Sequence, residues 1–148
     1  MLNAGQILAN KARQELIFVS PDATVFQTLQ VMAEHNVGAV LVMEGGEVLG
    51  IFSERDYARR IVLQGRTSAG TRVRDIMTSK VLYVSPDSSL EHCMALMTEK
   101  HIRHLPVLDG EHTVLGVLSI GDLVHATIAE QQYVIDQLVT YIHGGGRA

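Results

Sequence analysis

Apolar residues in the first half of the chain follow the periods of helices and of buried strands. Val25, Leu29 and Met32 recur at spacings of four and three residues, which predicts a helix with one buried face. The runs Val37–Met43 and Val48–Phe52 are separated by a pair of glycines and predict a hairpin of buried strands. Buried strands beside a one-sided helix indicate a small sheet covered by helices, an α/β or α+β arrangement.

Two further segments complete this half. Leu16–Val19 is a short apolar strand that stops at the turn around Pro21, because the residue before a proline is restricted to extended geometry. Glu54–Leu63 is predicted to be a second helix, which Gly65 ends as a C-terminal cap. The expected order is therefore strand, helix, strand, strand, helix.

The second half repeats this pattern of elements and some of the same short sequences. Val19–Asp22 recurs as Val84–Asp87, and Val48–Gly50 recurs as Val114–Gly116. The corresponding elements are a strand at Val81–Val84, a helix with a stripe of Leu90, Met94 and Met97, and hairpin strands at His104–Leu108 and Thr113–Leu118. A duplicated βαββα unit predicts two repeats packed with pseudo-twofold symmetry and paired, equivalent clefts.

The repeat also sets the expected domain boundaries. Residues 4–64 form a first domain with an N-terminal lead-in, residues 65–80 a linker and second lead-in, and residues 81–143 a second domain. The last helix of the second domain is predicted to run from Ile120 to His143, much further than its counterpart. Because the extension stays apolar, it needs another surface to pack on. The flanking helices also carry more apolar side chains than one module can cover, so the chain is predicted to be a homodimer; these side chains are Ile61, Val62, Leu63, Leu123, Val124 and Ile128.

Composition narrows the class of protein. The 148 residues are 47% hydrophobic and 19% charged, which argues against disorder. The sequence shows neither an apolar run of about 18 residues nor a secretory signal pattern, and its single cysteine fits a reducing cytoplasm. A net charge of −4 disfavours general nucleic-acid binding. We therefore expect a cytoplasmic protein with neither a membrane nor a nucleic acid as partner.

The order βαββα, an ending of the form apolar-Gly-apolar-apolar-Ser-x-x-Asp in each copy, and the lead-in Asp75-Ile76-Met77 resemble a tandem cystathionine-β-synthase (CBS) domain pair, or Bateman module. The resemblance covers residues 4 to 128, and its specificity comes from the order and duplication of short motifs. The motifs Ser53–Tyr57 in the first copy and Arg103–Val107 with Ser119–Asp122 in the second resemble the small stand-alone pairs of bacteria. The resemblance implies a protein that is not an enzyme, since no separate catalytic domain is expected.

The resemblance also implies a function. Such modules are regulatory and bind adenosine-containing ligands, AMP above all, with ADP, ATP, NAD or S-adenosylmethionine as others. In this family the ligand lies between the two copies, where the Asp of Ser-x-x-Asp grips the ribose and the Ser meets phosphate. The chain is accordingly expected to sense energy or redox state and to signal to an unidentified regulated protein.

The two Ser-x-x-Asp motifs, Ser53 with Asp56 and Ser119 with Asp122, admit two interpretations. A helix start offers unpaired amides and a positive dipole to a phosphate, and a carboxylate one turn on can accept two hydrogen bonds from a ribose diol. The alternative is a capping box that closes the helix start without any ligand. The duplication and the family resemblance favour ligand contact.

By the family's pattern, each cleft combines the Ser-x-x-Asp of one copy with the lead-in strand of the other. The first expected cleft gathers Ser119, Asp122, Lys11 to Ile17, Gly38, Ala39 and Arg103. The second gathers Ser53, Asp56, Lys80, Val81 and His104, with Arg55 nearby. Because Arg103 offers a fork of donors to a phosphate, the first cleft is expected to prefer a compact nucleotide such as AMP and the second a longer one.

Other kinds of site receive little support from the sequence. Cys93 lies on the buried stripe of its helix, so we expect it in the core. His101 and His104 straddle the start of a strand and are not placed to share a metal, so no metal site is expected. The rival function is a ligand-free dimeric interaction or scaffold protein whose clefts are empty.

Overall fold

The computed structural model describes residues 2–11 and 15–145, which form two compact units. In chain order the elements are α1 (Ala4–Ala9), β1 (Phe18–Val19), α2 (Val25–His35), β2 (Ala39–Glu44), β3 (Glu47–Ser53), α3 (Glu54–Asp56), a π-helical segment (Tyr57–Val62), a 3₁₀ turn (Val73–Asp75), α4 (Leu90–Lys100), β4 (His104–Leu108), β5 (Val114–Ser119) and α5 (Ile120–Gly145). Small sheets are flanked by helices, as the sequence predicted.

The two units do not have the boundaries of the predicted domains, residues 4–64 and 81–143. The first unit is Glu15–Leu82, and the second unit joins the N-terminal segment to the chain from Tyr83 onwards. Each unit thus contains the lead-in segment of the other copy. In the second unit, Ala4 N–H donates to Ser88 O at 2.8 Å, and in the first unit, Val73 N–H donates to Ala23 O at 2.8 Å.

The first unit is built on a three-stranded sheet in the order β1-β2-β3. Strand β1 runs parallel to β2, and β2 runs antiparallel to β3. Helix α2 begins with a capping box between Thr24 and Gln27, ends at Asn36 in the left-handed region, and buries Val25 and Met32 against the sheet. These residues pack with Phe52 and Ile61 into one apolar core.

The second unit has a shorter sheet than its counterpart. Strands β4 and β5 pair antiparallel, but the strand expected at Val81–Val84 is reduced to a single parallel bridge between Val84 and Val107. The cause is Pro106, which stands where Leu41 stands in the first unit and has no N–H to donate to a neighbouring strand. Proline at this position therefore limits the ladder to the bridge at Val84.

Helix α4 and the core of the second unit agree with the predicted stripe. Leu90 and Met97 are buried, Met94 is partly buried against them, and Cys93 has no exposed surface. Burial raises the pKa of the Cys93 thiol, because desolvation disfavours the thiolate. Cys93 is therefore a core residue, as expected.

The helix predicted over Glu54–Leu63 is not a single α-helix. Its first turn, α3, gives way to the π-helical segment Tyr57–Val62, and Gly65 then ends the run with a φ of +67°. The wider turn brings Arg60 over the lead-in segment, where it donates to backbone carbonyl groups. Ile61 is buried in the unit's own core, so it is not part of the exposed apolar surface that the sequence suggested.

Helix α5 runs from Ile120 to Gly145, slightly beyond the predicted end at His143. Its first turns pack on the second unit through Leu123 and Ala126, both buried. Leu123, like Ile61, is thus unavailable to a partner. From Gln131 to His143 every side chain is exposed.

Each hairpin carries the same bulge, and a glycine beside it admits a lead-in segment. The pairing register shifts between Val42 and Met43 and again between Val107 and Leu108. A Cβ on Gly50 would lie 2.6 Å from Met77 Sδ and 2.9 Å from Thr78 O. A Cβ on Gly116 would meet only the side chain of Leu8, at 2.6 Å. The lead-ins therefore dock closely only because these positions lack a side chain.

These contacts predict different costs for two equivalent substitutions. Gly50→Ala should lower the free energy of unfolding by about 1–3 kcal/mol, since the backbone oxygen of Thr78 cannot rotate away. Gly116→Ala should cost less than about 1 kcal/mol, because the Leu8 side chain can change rotamer. Urea unfolding of both variants measures the difference, and an equal cost at the two sites would contradict this account of the docking.

Candidate functional site

Both Ser-x-x-Asp turns form capping boxes. In the second unit, Ser119 N–H donates to Asp122 Oδ2 at 2.8 Å, and Asp122 N–H donates to Ser119 Oγ at 3.2 Å. In the first unit, the corresponding distances are 2.9 Å for Ser53 N–H to Asp56 Oδ2 and 3.3 Å for Asp56 N–H to Ser53 Oγ. The capping interpretation is therefore confirmed as local geometry. Only Oδ2 takes part, so each carboxylate has a second oxygen for other partners.

The lead-in residue Lys11 reaches the Ser-x-x-Asp turn of the second unit. Its ammonium lies 2.9 Å from Asp122 Oδ2 and donates to Val117 O at 2.8 Å. The side chains of Lys11 and Asp122 are 24% and 21% exposed, so solvent or a ligand can reach the pair. Asp122 Oδ1 has no hydrogen-bond partner among residues 2–11 and 15–145.

Two further basic residues lie at the same turn. Arg103 O accepts the N–H of Ile120 at 2.8 Å, and His104 pairs with Ser119 across the β4–β5 hairpin. Burial lowers the pKa of His104, and the positive charges of Lys11 and Arg103 lower it further, whereas Asp122 acts in the opposite direction. These surroundings, two cations and one carboxylate in a partly buried site, therefore favour the neutral form of His104.

In the first unit, different groups contact the aspartate of the equivalent turn. Thr78 Oγ1 donates to Asp56 Oδ1 at 3.2 Å, and Arg60 Nε lies 3.9 Å from the same oxygen. Arg60 Nη1 also donates to Ile76 O and Met77 O, both at 2.9 Å. The carboxylate of Asp56 is almost fully buried, and both of its oxygens accept hydrogen bonds.

The two turns differ in how the lead-in reaches the neighbouring strand. In the first unit, Thr78 N–H donates to Ile51 O at 2.9 Å, and Ile51 N–H donates to Thr78 O at 3.0 Å. In the second unit, Val117 stands in the place of Ile51, and the Lys11 side chain donates to its carbonyl oxygen. Two backbone hydrogen bonds thus join the lead-in to the strand at the first turn, whereas the Lys11 side chain makes this connection at the second.

The remaining predicted residues are distributed between the units. Gly38 O accepts the N–H of Glu54 at 3.0 Å, and Ala39 pairs with Ser53, so both lie at the first unit's turn. His104 lies at the second unit's turn, although the sequence associated it with Ser53. Gly38 and Ala39 were likewise associated with Ser119. Residues 12–14 of the predicted lead-in lie outside the described residues.

Four more candidates contact neither carboxylate through a described hydrogen bond or ion pair. Ile17 is partly buried against the core of the first unit. Lys80, which occupies the lead-in position of Lys11, is exposed, and so is Arg55. Val81 is partly exposed.

Sequence reasoning missed Thr78 and Arg60, the two side chains that contact Asp56. Thr78 follows the lead-in motif directly, and its place next to Met77 was a signal that could have been used. Arg60 lies four residues after Asp56, and this helical spacing was a second signal that could have been used.

Two kinds of arrangement are absent from the residues that the structure describes. Within them, no group of three His, Cys, Asp or Glu side chains is arranged to hold a metal ion. No helix formed by these residues has the length and apolar character needed to cross a membrane.

Comparison with known proteins identifies the family. The CBS domain model matches residues 5–63 and 73–129. The mitochondrial CBS domain-containing protein CBSX3 of Arabidopsis thaliana is 41% identical over 87% of this chain, which spans 65% of that protein's length. The CBS domain-containing protein YhcV of Bacillus subtilis is 37% identical over 71% of the chain and 74% of its own length.

Solved structures agree with this result. A protein with CBS domains from Burkholderia ambifaria, to which signal transduction is ascribed, has a TM-score of 0.83 and 49% identity over 87% of this chain and 96% of its own. The CBS domain structure NE2398 has a TM-score of 0.80 and 43% identity over 85% of this chain and 97% of its own. The chain therefore belongs to the CBS-domain family, with two CBS domains in tandem.

The environment of His104 predicts a pH dependence. Because its pKa is lowered in the folded protein, the unfolded state binds the proton more readily. Its contribution to stability is present above the ordinary histidine pKa of about 6.5 and is lost as the pH falls from there through the lowered value. His104→Gln should flatten the decline in unfolding free energy over this window, measured by urea titration at several pH values.

A substitution at a second histidine controls for the general effect of replacing histidine by glutamine. His92→Gln changes an exposed residue on α4 and should leave the pH dependence of the parent protein in place. Identical pH profiles for His104→Gln and the parent protein would contradict the assigned environment.

Proposed function

Since the chain is a tandem CBS protein, we propose that it is a regulatory module that binds an adenine nucleotide. AMP is the foremost candidate, and ADP, ATP or NAD are the others. Binding signals energy or redox state to a regulated partner protein through a change in conformation. The observation that carries the proposal is the group formed by Lys11, Arg103, His104 and Asp122 at the start of α5.

The chemistry of this group suits a nucleoside monophosphate. A ribose diol needs an acceptor, and Asp122 Oδ1 is such an acceptor at the edge of the turn. A phosphate needs donors that carry positive charge, which Lys11 and Arg103 supply. One ligand can therefore satisfy both the carboxylate and the cations.

Lys11 is able to exchange partners at low cost to the fold. Its hydrogen bond to Val117 O is made by a side chain, so its release leaves the backbone pairing of the strands intact. In the first unit, the same position is occupied by the backbone of Thr78. We therefore propose that the Ser119 turn takes AMP and that the Ser53 turn, with Arg55 and Arg59 further out, accepts a longer ligand.

Signalling follows from differential affinity. A ligand shifts a conformational equilibrium only by the difference between its affinities for the two states. A nucleotide that draws Lys11 away from Asp122 changes how α1 and the lead-in are held against the second unit. The regulated protein would respond to that change, and the module itself would carry out no catalysis.

The proposal also includes a homodimer in the cytoplasm. Val62, Leu63, Val124 and Ile128 are large apolar side chains that are all more than 45% exposed, as expected for surfaces that a second copy covers. The buried thiol of Cys93 suits a reducing compartment. A ligand-free dimeric scaffold is the alternative, and it gives no role to the charged group around Asp122.

Removing the carboxylate of Asp122 tests the nucleotide site. Asp122→Ala should weaken AMP binding by roughly 10- to 150-fold, the equivalent of about 1.5–3 kcal/mol for hydrogen bonds to a charged group. Loss of the capping box should cost only about 1 kcal/mol of stability. Calorimetric titration with AMP and thermal unfolding separate these two effects.

Asp136→Ala is the matched control. Asp136 is an exposed carboxylate on the same helix, where it accepts a hydrogen bond from Gln132. This variant should bind AMP like the parent protein. If Asp122→Ala lowers the melting temperature without changing the affinity for AMP, the turn is a capping box only.

The two turns should also respond differently to removal of a cation. Arg103→Ala should weaken the AMP-preferring site and leave the other site unchanged, because Arg103 lies at the Ser119 turn. A titration that resolves two sites measures this, with Arg59→Ala as the variant on the other unit. Two identical sites, both indifferent to Arg103→Ala, would show that the proposed asymmetry is wrong.

A further inference from the structure

Helix α5 has an apolar stripe, from Val124 to Ile142, that the second unit does not cover. Val124, Ile128, Ile135, Leu138 and Ile142 are each between 46% and 67% exposed. Successive members, with Gln131 completing the series, are separated by four and three residues in alternation. This spacing places all of them on one side of the helix.

The stripe is distinct from the face by which α5 is anchored. Leu123 and Ala126 are buried in the unit, and the backbone N–H of Leu2 donates to Glu130 Oε1 at 2.6 Å. The exposed stripe begins at Val124, within this anchored part, and continues without interruption to Ile142. It is therefore a single surface that a rigidly attached helix presents to solvent.

An uncovered helix of this kind is poorly stable by itself. The part beyond Glu130 extends about 20 Å at the rise of an α-helix. Isolated helices of fewer than about 12–15 residues are marginal in water, and most helical stability comes from packing of the apolar face. A partner surface is therefore needed to keep this part of α5 folded.

The charge of α5 selects among the classes of partner. The sequence from Ile120 to Gly145 contains no Lys or Arg, and its charged residues are the carboxylates Asp122, Glu130 and Asp136. An anionic membrane surface or a nucleic acid would require basic residues beside the stripe. Both are disfavoured, which leaves the apolar surface of a protein.

The pattern of the stripe fits an identical helix. A seven-residue repeat places Ile128, Ile135 and Ile142 at one core position and Val124, Gln131 and Leu138 at the other. β-Branched residues at the first position with leucine at the second favour a parallel two-stranded coiled coil, and the three isoleucines and Leu138 follow this rule. The positions that flank the core hold neither Lys, Arg, Asp nor Glu (His125, Thr127, Gln132, Val134, Val139 and Tyr141), so two copies place no like charges of these residues against each other. Gln131 is the one polar core residue, and in a parallel pair in register its amide can exchange hydrogen bonds with its own counterpart.

We infer that α5 pairs with α5 of a second copy in parallel and in register, through a seam formed by Val124, Ile128, Gln131, Ile135, Leu138 and Ile142. The seam gives a homodimer its orientation, because both anchored ends of the helices then lie on the same side. The inference rests on the proposed homodimer and deepens it by naming the helices that form the interface. The seam includes none of the residues grouped around Asp122. Failure of the seam would leave AMP binding unaffected.

Cross-linking of single cysteine variants in the full-length protein tests the seam. With a short bis-maleimide, Ile128→Cys and Leu138→Cys should each give covalent dimers, because each residue faces its counterpart in a parallel pair. Thr140→Cys, on the outer side of the helix, should react with single maleimides but give no dimer. The unmodified protein sets the background, since its cysteine, Cys93, is buried.

A second pair of variants separates the seam from other contacts. In the Ile128→Cys protein, adding Leu138→Glu should slow cross-linking by about tenfold or more and reduce the helical circular dichroism signal, whereas adding Thr140→Glu should change neither. Equal cross-linking at positions 138 and 140 would overturn the inference. So would an absence of cross-linking at position 128 or at position 138, the latter being the result for an antiparallel pair.

Discussion

The ion pair between Lys11 and Asp122 links the parts of the second unit on which function depends. It joins the N-terminal lead-in to the start of α5, and it lies beside the β4–β5 hairpin. Lys11 belongs to the first copy by sequence and Asp122 to the second. Their contact is therefore one of those by which the lead-in of one copy packs on the other copy. Gly116 makes the approach possible, since a side chain there would occupy the space of Leu8.

The duplicated architecture provides two turns of the same geometry with different chemistry. Both Ser-x-x-Asp motifs cap a helix by the same pair of hydrogen bonds. Asp56 is then enclosed by Thr78 and Arg60, whereas Asp122 faces Lys11 and the partly exposed His104. A closed carboxylate and an accessible one suit different ligands. The repeat thus supplies the scaffold, and a few substitutions at equivalent positions supply the specificity.

Much of this could be predicted from the sequence, because hydrophobic spacing and the duplicated motifs report directly on strands, helices and their order. The hairpins, α2, α4 and the long α5 follow from that spacing. The departures have local physical causes. Pro106 removes a donor and shortens a sheet, and the π-helical turn after Asp56 directs Arg60 towards the lead-in. Neither effect is visible in the spacing of apolar residues.

The central claim is that the turn at Ser119 and Asp122 holds an adenine nucleotide. Native mass spectrometry of gently purified protein, followed by addition of AMP to protein freed of small molecules, measures this most directly. The account predicts a bound mass equal to that of an adenine nucleotide, regained on addition of AMP by the parent protein and strongly reduced in Asp122→Ala. Protein that is free of ligand on purification and takes up no added AMP, ADP, ATP or NAD would contradict it.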